Sequence, residues 1–226
     1  MRARAAEIAS ASVLTGARDS AALEGADVSL EVVRAGLDES PLGRAVAASV
    51  AVTAAVPGQV DAWQRAPLQV LAHLHALAAR GFDGDDDLGR PRQHDEVVDP
   101  LHVGAPTPWA QVPDRLVGLA DVLTSPTDAP AVLVAAIAHG EIMALQPFRW
   151  GSGLIARAAV RLVLAGRGVD PDLLGCPEAG MLSLGRSSYV TALRAYRSAE
   201  PSGVAEWIRW NASAIGFGAS ADAPHR

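Results

Sequence analysis

Residues 146–157 read Gln-Pro-Phe-Arg-Trp-Gly-Ser-Gly-Leu-Ile-Ala-Arg and join two helical segments of the sequence. The alanine- and leucine-rich residues before Pro147 predict a helix that ends there. Gly151-Ser152-Gly153 predicts a tight turn, and a second helix is expected to begin at about Gly153. The two helices, at about 129–145 and 153–165, are the predicted centre of the fold.

The same turn is a candidate anion site. Backbone N–H groups of a glycine-rich turn, together with the positive end of the following helix, attract anions. Arg157 lies one turn into that helix and Arg149 lies in the loop, so both can reach the same anion. The candidate nucleotide- or phosphate-binding residues are therefore Arg149, Gly151, Ser152, Gly153 and Arg157. The alternative is a simple helix–helix turn with both arginines on the surface.

The rest of the chain predicts an all-α fold, because good helix formers dominate and β-branched residues rarely alternate with polar ones. Further helices are expected at about 30–37, 44–56, 61–80, 113–123, 187–199 and 204–215. Residues 82–109 are rich in Asp, Gly and Pro, and predict a loop with at most a short β-hairpin around Glu96-Val97-Val98. Residues 1–218 are expected to form one domain, followed by a disordered tail at 219–226.

Composition excludes several classes of protein. The 226 residues carry 19 Lys or Arg, all of them Arg, and 25 Asp or Glu, for a formal charge of −6, so no nucleic-acid partner is expected. The single cysteine, Cys176, excludes a disulfide scaffold and a Cys-rich zinc site. The longest weakly polar run, 45–56, is shorter than the ~20 residues of a membrane span, and no signal peptide is recognised. We expect a cytoplasmic protein with no membrane partner.

No complete metal-binding motif is present. Asp83-Gly84-Asp85-Asp86-Asp87 begins like a calcium loop, but its sixth and twelfth positions are Leu88 and His94 instead of Gly and Glu, which favours a solvated loop. His73 and His75 lie about 200° apart around a helix and cannot share a metal ion. No metal site is expected.

Residues 146–157 resemble the core motif of the Fic (Fido) family, HPFx[D/E]GNGRxxR. Pro147, Phe148, Gly151, Gly153 and Arg157 match it. Other features follow in the family's order: the inhibitory pattern [S/T]xxxE[G/N] at Ser20–Gly25, the stretch after the substrate-binding flap at Val112-Pro113, an H-x-E-F-like segment at His139 and Glu141, and closing helices with Tyr189, Leu193, Tyr196 and Trp207-Ile208.

The resemblance implies a Fic-like helical bundle with a small β-hairpin or flap-like loop. Residues 1–60 would form N-terminal inhibitory-type helices and residues 61–218 the Fic-like core. In Fic proteins with an inhibitory helix, the glutamate of that helix pairs with the second arginine of the core motif. The corresponding residues here are Glu24 and Arg157, which we expect to form a partly buried structural ion pair.

The polar residues that carry out the family's reaction are replaced. Gln146 stands at the position of the catalytic histidine, and an amide is no general base near neutral pH. Trp150 replaces the acidic residue that holds magnesium, Ser152 the anion-hole asparagine and Leu154 the first arginine. No catalytic residue is therefore assigned and magnesium is not expected, while ATP or another nucleotide is the ligand that the resemblance implies.

Three functional hypotheses follow. The first is a degenerate Fic-like protein without AMP transfer, which acts as a nucleotide- or phosphate-binding or regulatory interaction module. The second is an enzyme with altered nucleotidyl- or phosphoryl-transfer chemistry, in which His94 or His102 supplies the base. The third is an interaction protein with an empty cleft. The protein partner is unknown, and a homodimer stays open.

Overall fold

The computed structural model describes residues 2–220 and is an α-helical bundle, with 69% of these residues in helices. The all-α prediction is confirmed. The helices within the described residues are α1 Arg2–Leu23, α2 Leu30–Ala35, α3 Pro41–Ala55, α4 Val60–Trp63, α5 Pro67–Ala78, α6 Val112–Thr124, α7 Ala131–Leu145, α8 Ser152–Gly166, α9 Pro177–Leu184, α10 Arg186–Arg197 and α11 Pro201–Ala219.

Helices α7 and α8 pack against each other at the centre of the bundle. Every residue of α8 from Ser152 to Ala165 is buried, because α1, α3, α5 and α9 cover the faces that α7 leaves. Helices α10 and α11 close the opposite side of α7, where the indole N–H of fully buried Trp207 donates to the Ala136 carbonyl at 2.7 Å. The loop between α7 and α8 therefore joins two helices that are packed in the core of the bundle.

Helix α1 ends in a glycine cap that fixes the position of Glu24. The N–H of Ala26 donates to the carbonyl of Ala21 and the N–H of Gly25 to that of Ala22, both at 2.9 Å. Gly25 has a φ of 92°, which a residue with a Cβ rarely adopts. This cap leaves Glu24 as the last residue before the chain turns.

A buried arginine joins α1 to the core. Arg161 of α8 donates from Nε to both carboxylate oxygens of Glu178, at 2.7 and 3.0 Å, and from Nη2 to the carbonyl of Ser12 at 3.0 Å. The side chains of Arg161 and Glu178 are 2% and 1% exposed. Burial raises the pKa of the adjacent Cys176 thiol to about 12, so this cysteine stays protonated.

Two helix predictions need correction. The helix expected at 61–80 is divided, because α4 ends at Trp63 and α5 begins at Pro67. The proline ring disfavours helical geometry in the residue before it, and Ala66 has φ −145° and ψ 62°. Helix α9 was not among the expected helices, and α1 was expected only through the resemblance, which places N-terminal helices within residues 1–60.

The predicted β-hairpin is wrong, since residues 2–220 contain no β-strand. The segment at 92–107, called the flap segment below, bonds instead to the loop between α7 and α8. Its Arg92 N–H donates to the Pro147 carbonyl at 2.9 Å, and its Val98 N–H to the Arg149 carbonyl at 2.7 Å. The backbone groups that would pair within a hairpin are used by the neighbouring loop.

The stretch Pro41–Trp63 is long and apolar enough, by length and composition alone, to cross a membrane, although none was expected. A core helix of a bundle passes the same test, and α3 packs on α1 and α5 with Val46 and Val52 buried. At the other end of the chain, Ala219 belongs to α11 instead of the expected tail, and residues 221–226 lie outside the described residues.

Candidate functional site

Two residues with a left-handed backbone conformation and one serine hydroxyl group fix the conformation of the loop between α7 and α8. Gln146 ends α7 with φ 44° and ψ 64°, and Gly151 precedes α8 with φ 78°. The Ser152 hydroxyl donates to the Phe148 carbonyl at 3.1 Å and lies 3.3 Å from the Phe148 N–H, from which it accepts. The hydroxyl of Ser152, predicted to bind an anion, thus bonds to its own loop.

Gln146 is buried with its amide inside the fold. The residue is 4% exposed, and its Oε1 atom has no hydrogen-bond partner within residues 2–220. Its backbone N–H continues the α7 pattern by donating to Ile142 at 2.9 Å.

Arg92 holds both Gln146 and the flap segment, and the sequence analysis missed it. Its guanidinium donates from Nε to the Gln146 carbonyl at 2.7 Å and from Nη2 to the Leu145 carbonyl at 3.1 Å, which caps the carboxyl end of α7. It also donates to the carbonyls of His94, at 2.7 Å, and Thr107. No sequence pattern marks this residue, since a lone arginine in a polar loop usually faces solvent.

Arg149 is paired with a buried carboxylate. Its Nη1 donates to Asp83 Oδ1 at 2.8 Å, and the Asp83 side chain is 0% exposed instead of solvated as expected. Asp83 Oδ2 lies 3.3 Å from His75 Nε2, and the His75 ring stacks on Phe148 at 4.0 Å. Because His75 Nδ1 accepts from the Gly89 N–H, its proton sits on Nε2, facing Asp83. Burial lowers the pKa of His75, which favours this neutral form.

Arg157 binds the end of α1. Its Nη2 donates to Glu24 Oε1 at 2.7 Å and to the Ser20 carbonyl at 3.2 Å, and its Nε donates to the Ser20 hydroxyl at 2.7 Å. Arg157 is fully buried and the Glu24 side chain is 15% exposed. Glu24 also lies directly over Gly153, since a Cβ atom at position 153 would overlap with Glu24 Oε1. The structure therefore brings together the four predicted residues Glu24, Ser152, Gly153 and Arg157.

A buried polar chain extends from Arg157 to α11. Arg157 Nη1 donates to the Tyr189 hydroxyl at 3.4 Å, and this hydroxyl lies 2.5 Å from His139 Nε2. His139 Nδ1 lies 2.8 Å from Asn211 Oδ1, which can only accept, so the His139 proton is on Nδ1 and Tyr189 donates to Nε2. Burial, assisted by the Arg157 charge, lowers the pKa of His139 to about 3, and burial raises that of Tyr189 to about 12. Both side chains are neutral at physiological pH.

A cavity of about 220 Å³ opens beside Glu24. Phe82 and Trp150, stacked at 3.9 Å, lie on its wall, and its other lining residues are Ala21, Glu24, Ala26, Pro41, Ala45, Val98, Pro100, Gly151 and Leu154. Neither His94 nor His102, the two candidate bases, lines this cavity. A larger and more open cavity of about 520 Å³ lies between α6 and α7, lined by Val122 and Ile137, and is separate from the loop.

These residues do not fit the magnesium ion of the family's reaction. Trp150 stands where the resemblance to the Fic motif places the acidic ligand, and Glu24, the one carboxylate that lines the cavity, already pairs with Arg157. No group of three or more His, Cys, Asp or Glu side chains converges anywhere within residues 2–220.

Comparison with known proteins finds a family model that matches part of the chain. Residues 65–164, which include the loop between α7 and α8, match the model of the Fic/DOC family. No curated protein matches the sequence at a significant level.

Solved Fic structures share the fold. They include a Fic family protein from Desulfovibrio desulfuricans G20 (19% identity, TM-score 0.73, covering 93% of this chain and 64% of that chain). Fic-1 from C. elegans is also similar (17% identity, TM-score 0.67, covering 90% of this chain and 61% of that chain). So is a Fic domain containing signaling protein from Bacteroides thetaiotaomicron VPI-5482 (16% identity, TM-score 0.67, covering 90% of this chain and 84% of that chain). This chain spans less than two thirds of the first two, and such identities establish the fold alone.

Proposed function

We propose that this chain, whose residues 65–164 match the model of the Fic/DOC family, does not transfer AMP and acts as a binding or regulatory module. The observation that carries the proposal is the buried amide of Gln146, which stands where the resemblance places the catalytic histidine. A second observation is the position of Glu24. Its carboxylate lies over Gly153 and bonds to Arg157, so the protein's own anion occupies the turn where a phosphate would bind.

The missing base supports the same conclusion. Transfer of a nucleotidyl group to a hydroxyl requires a group that removes the hydroxyl proton, and the Gln146 amide has no basic site near neutral pH. Gln146 is also only 4% exposed, and its backbone carbonyl accepts a hydrogen bond from Arg92 at 2.7 Å. The residue therefore has little freedom to approach a substrate.

The charged groups that would stabilise a phosphate are engaged elsewhere. Arg149 pairs with Asp83, and Arg157 pairs with Glu24 and Ser20. Transfer of a phosphoryl-type group depends on such positive groups, and each lost group typically removes a few kcal/mol of transition-state stabilisation. Binding of a nucleotide through its phosphates would require displacement of the Glu24 carboxylate.

Part of the backbone of the flap segment is already hydrogen-bonded within the protein and is not free to pair with a target peptide. The N–H groups of Arg92 and Val98 bond to the loop between α7 and α8, and Arg186 and Arg194 of α10 donate to the carbonyls of Pro100 and His102. A target peptide would have to break these bonds to pair with the same backbone. The module we propose binds its partner without the modification step.

Label transfer tests the proposal. The purified protein is incubated with magnesium and labelled ATP, UTP or CDP-choline, alone and with a cell lysate, and modified proteins are sought by mass spectrometry. Neither the wild type nor Gln146→His should transfer label, because Trp150, Ser152 and Leu154 still fail to hold metal and phosphate. Label transfer by the wild type that disappears in Arg157→Ala would overturn the proposal.

A further inference from the structure

Two of the replaced motif positions face one cavity. Trp150 and Leu154, which stand where the resemblance places an acidic residue and an arginine, both line the space of about 220 Å³ beside Glu24. Phe82, stacked on Trp150, and Val98 of the flap segment continue the same apolar wall. A surface that would bind metal and phosphate has become one that favours apolar contact.

The one charged residue that lines this cavity disfavours anions. Glu24 is its only charged lining residue, and the Arg157 guanidinium that compensates it lies behind it, fully buried. A phosphate or carboxylate in the cavity would face the Glu24 oxygens and have no cation of its own. Removing such a charge from water without a partner is strongly unfavourable. An uncharged molecule carries no such cost, and a cation would face a carboxylate.

The size of the cavity limits the ligand further. About 220 Å³ lies below the range of roughly 300–1,000 Å³ that is common for small-molecule sites. At the packing density of protein interiors it holds roughly ten heavy atoms. That is enough for one bicyclic aromatic ring system, and too little for a nucleoside with its phosphates.

We propose that this cavity binds a small uncharged or cationic aromatic molecule, with its ring against Trp150 and Leu154 and any donor group facing Glu24. Aromatic rings pack favourably beside the Phe82–Trp150 stack, and an ammonium group gains additionally from the carboxylate. This inference rests on the proposed loss of AMP transfer, because it assigns a different ligand to the same cleft.

Four probes that differ in charge test the ligand class. Indole, tryptamine, indole-3-acetate and ATP are titrated into the full chain, with binding followed by calorimetry and by ligand-observed NMR. Indole and tryptamine should bind, tryptamine at least tenfold more tightly than indole-3-acetate, and ATP should not bind. The inference would be overturned if indole-3-acetate bound as tightly as tryptamine or more tightly. It would also be overturned if indole or tryptamine did not bind.

Two matched variants of α3 locate the site. Ala45 lines the cavity and is half-buried, whereas Ala47 is exposed and does not line it. Ala45→Met should weaken tryptamine binding at least tenfold and Ala47→Met should leave it unchanged, with both variants checked for an unchanged melting temperature in the absence of ligand. Equal affinity in the two variants would place the ligand elsewhere and overturn the inference. Absence of indole binding leaves the loss of AMP transfer standing, whereas AMP transfer by the wild type overturns both.

Discussion

The Glu24 carboxylate and the Arg157 guanidinium meet at 2.7 Å although 133 positions separate them in the chain. Arg157 is fully buried in α8, and Glu24 directly follows the last residue of α1. The contact therefore joins the N-terminal helix to α8, and it places a carboxylate of the protein itself over the turn that was predicted to bind an anion.

A double-mutant cycle measures this contact. Glu24→Ala should lower the free energy of unfolding by on the order of 3 kcal/mol, because it leaves the buried Arg157 charge without its counter-ion. Arg157→Ala should cost a similar amount, and the double variant should lose less than the sum of the two. Chemical denaturation of the four proteins gives these values.

The control for this cycle is the exposed pair Arg18–Asp27. Its atoms lie 3.2 Å apart, but the Asp27 side chain is 69% exposed, so Asp27→Ala should change stability little. Strictly additive losses at Glu24 and Arg157 would mean that the two side chains do not interact in solution.

The pair Arg161–Glu178 should be at least as important for stability. Both side chains are almost fully buried, so Glu178→Ala should lower the free energy of unfolding by about 3–5 kcal/mol by leaving Arg161 unpaired. Because Arg161 also bonds to Ser12, loosening of this pair should increase hydrogen exchange in the first half of α1. A stability equal to that of the wild type would contradict the buried geometry.

Arg92 should control the mobility of the flap segment. Arg92→Met removes the donors that reach the carbonyls of Leu145, Gln146, His94 and Thr107, so amide exchange within residues 93–107 should accelerate at least tenfold. Arg90→Met is the matched control, since Arg90 is exposed in the same loop. Equal exchange in the two variants would show that Arg92 does not hold the segment.

Acid should destabilise the protein through His139. Its pKa is about 3 in the fold, against 6.5 for the unperturbed side chain, so between these values the unfolded chain binds a proton that the folded chain does not. Stability from this group is complete above pH 6.5 and falls as the pH decreases towards 3, by up to about 1.4 kcal/mol per unit. Burial of His75 acts in the same direction.

Comparison of two histidine variants isolates this effect. His139→Gln should flatten the dependence of the unfolding free energy on pH between 6.5 and 3, whereas His73→Gln, at an exposed position, should leave the curve unchanged. An unaltered slope in His139→Gln would mean that His139 does not titrate on unfolding.

The central helices were predictable because the signals that define them are local. The run of helix-forming residues before Pro147 predicted α7, and the glycines at 151 and 153 predicted the turn and the start of α8. The predicted ends of both helices lie within two residues of the observed ones. The residue pattern alone did not predict α1, because its alanines, serines and threonine give no clear apolar stripe, and did not predict α9, because it has only eight residues. The break at Pro67 carried a local signal that was overlooked.

The details of the site were less predictable, since they depend on contacts between distant residues. Arg149 and Asp83 lie 66 positions apart, and Arg92 and Gln146 lie 54 apart, and neither pair belongs to a sequence motif. An arginine in a loop looks the same in the sequence whether it binds a phosphate or a buried carboxylate. The pairing of Glu24 with Arg157 was expected only because both residues lie in segments that resemble patterns of the Fic family.

The proposed loss of AMP transfer is tested most directly by measuring label transfer in a variant that lacks the Glu24 carboxylate. Glu24→Gly removes the carboxylate from above Gly153, and Glu31→Gly, at an exposed position on α2, is its control. Both are incubated with labelled ATP and magnesium, alone and in a lysate, and analysed by mass spectrometry. We expect no transfer by either protein, because Gln146 cannot act as the base and Trp150 cannot bind the metal. Transfer by Glu24→Gly above the level of Glu31→Gly would contradict this expectation.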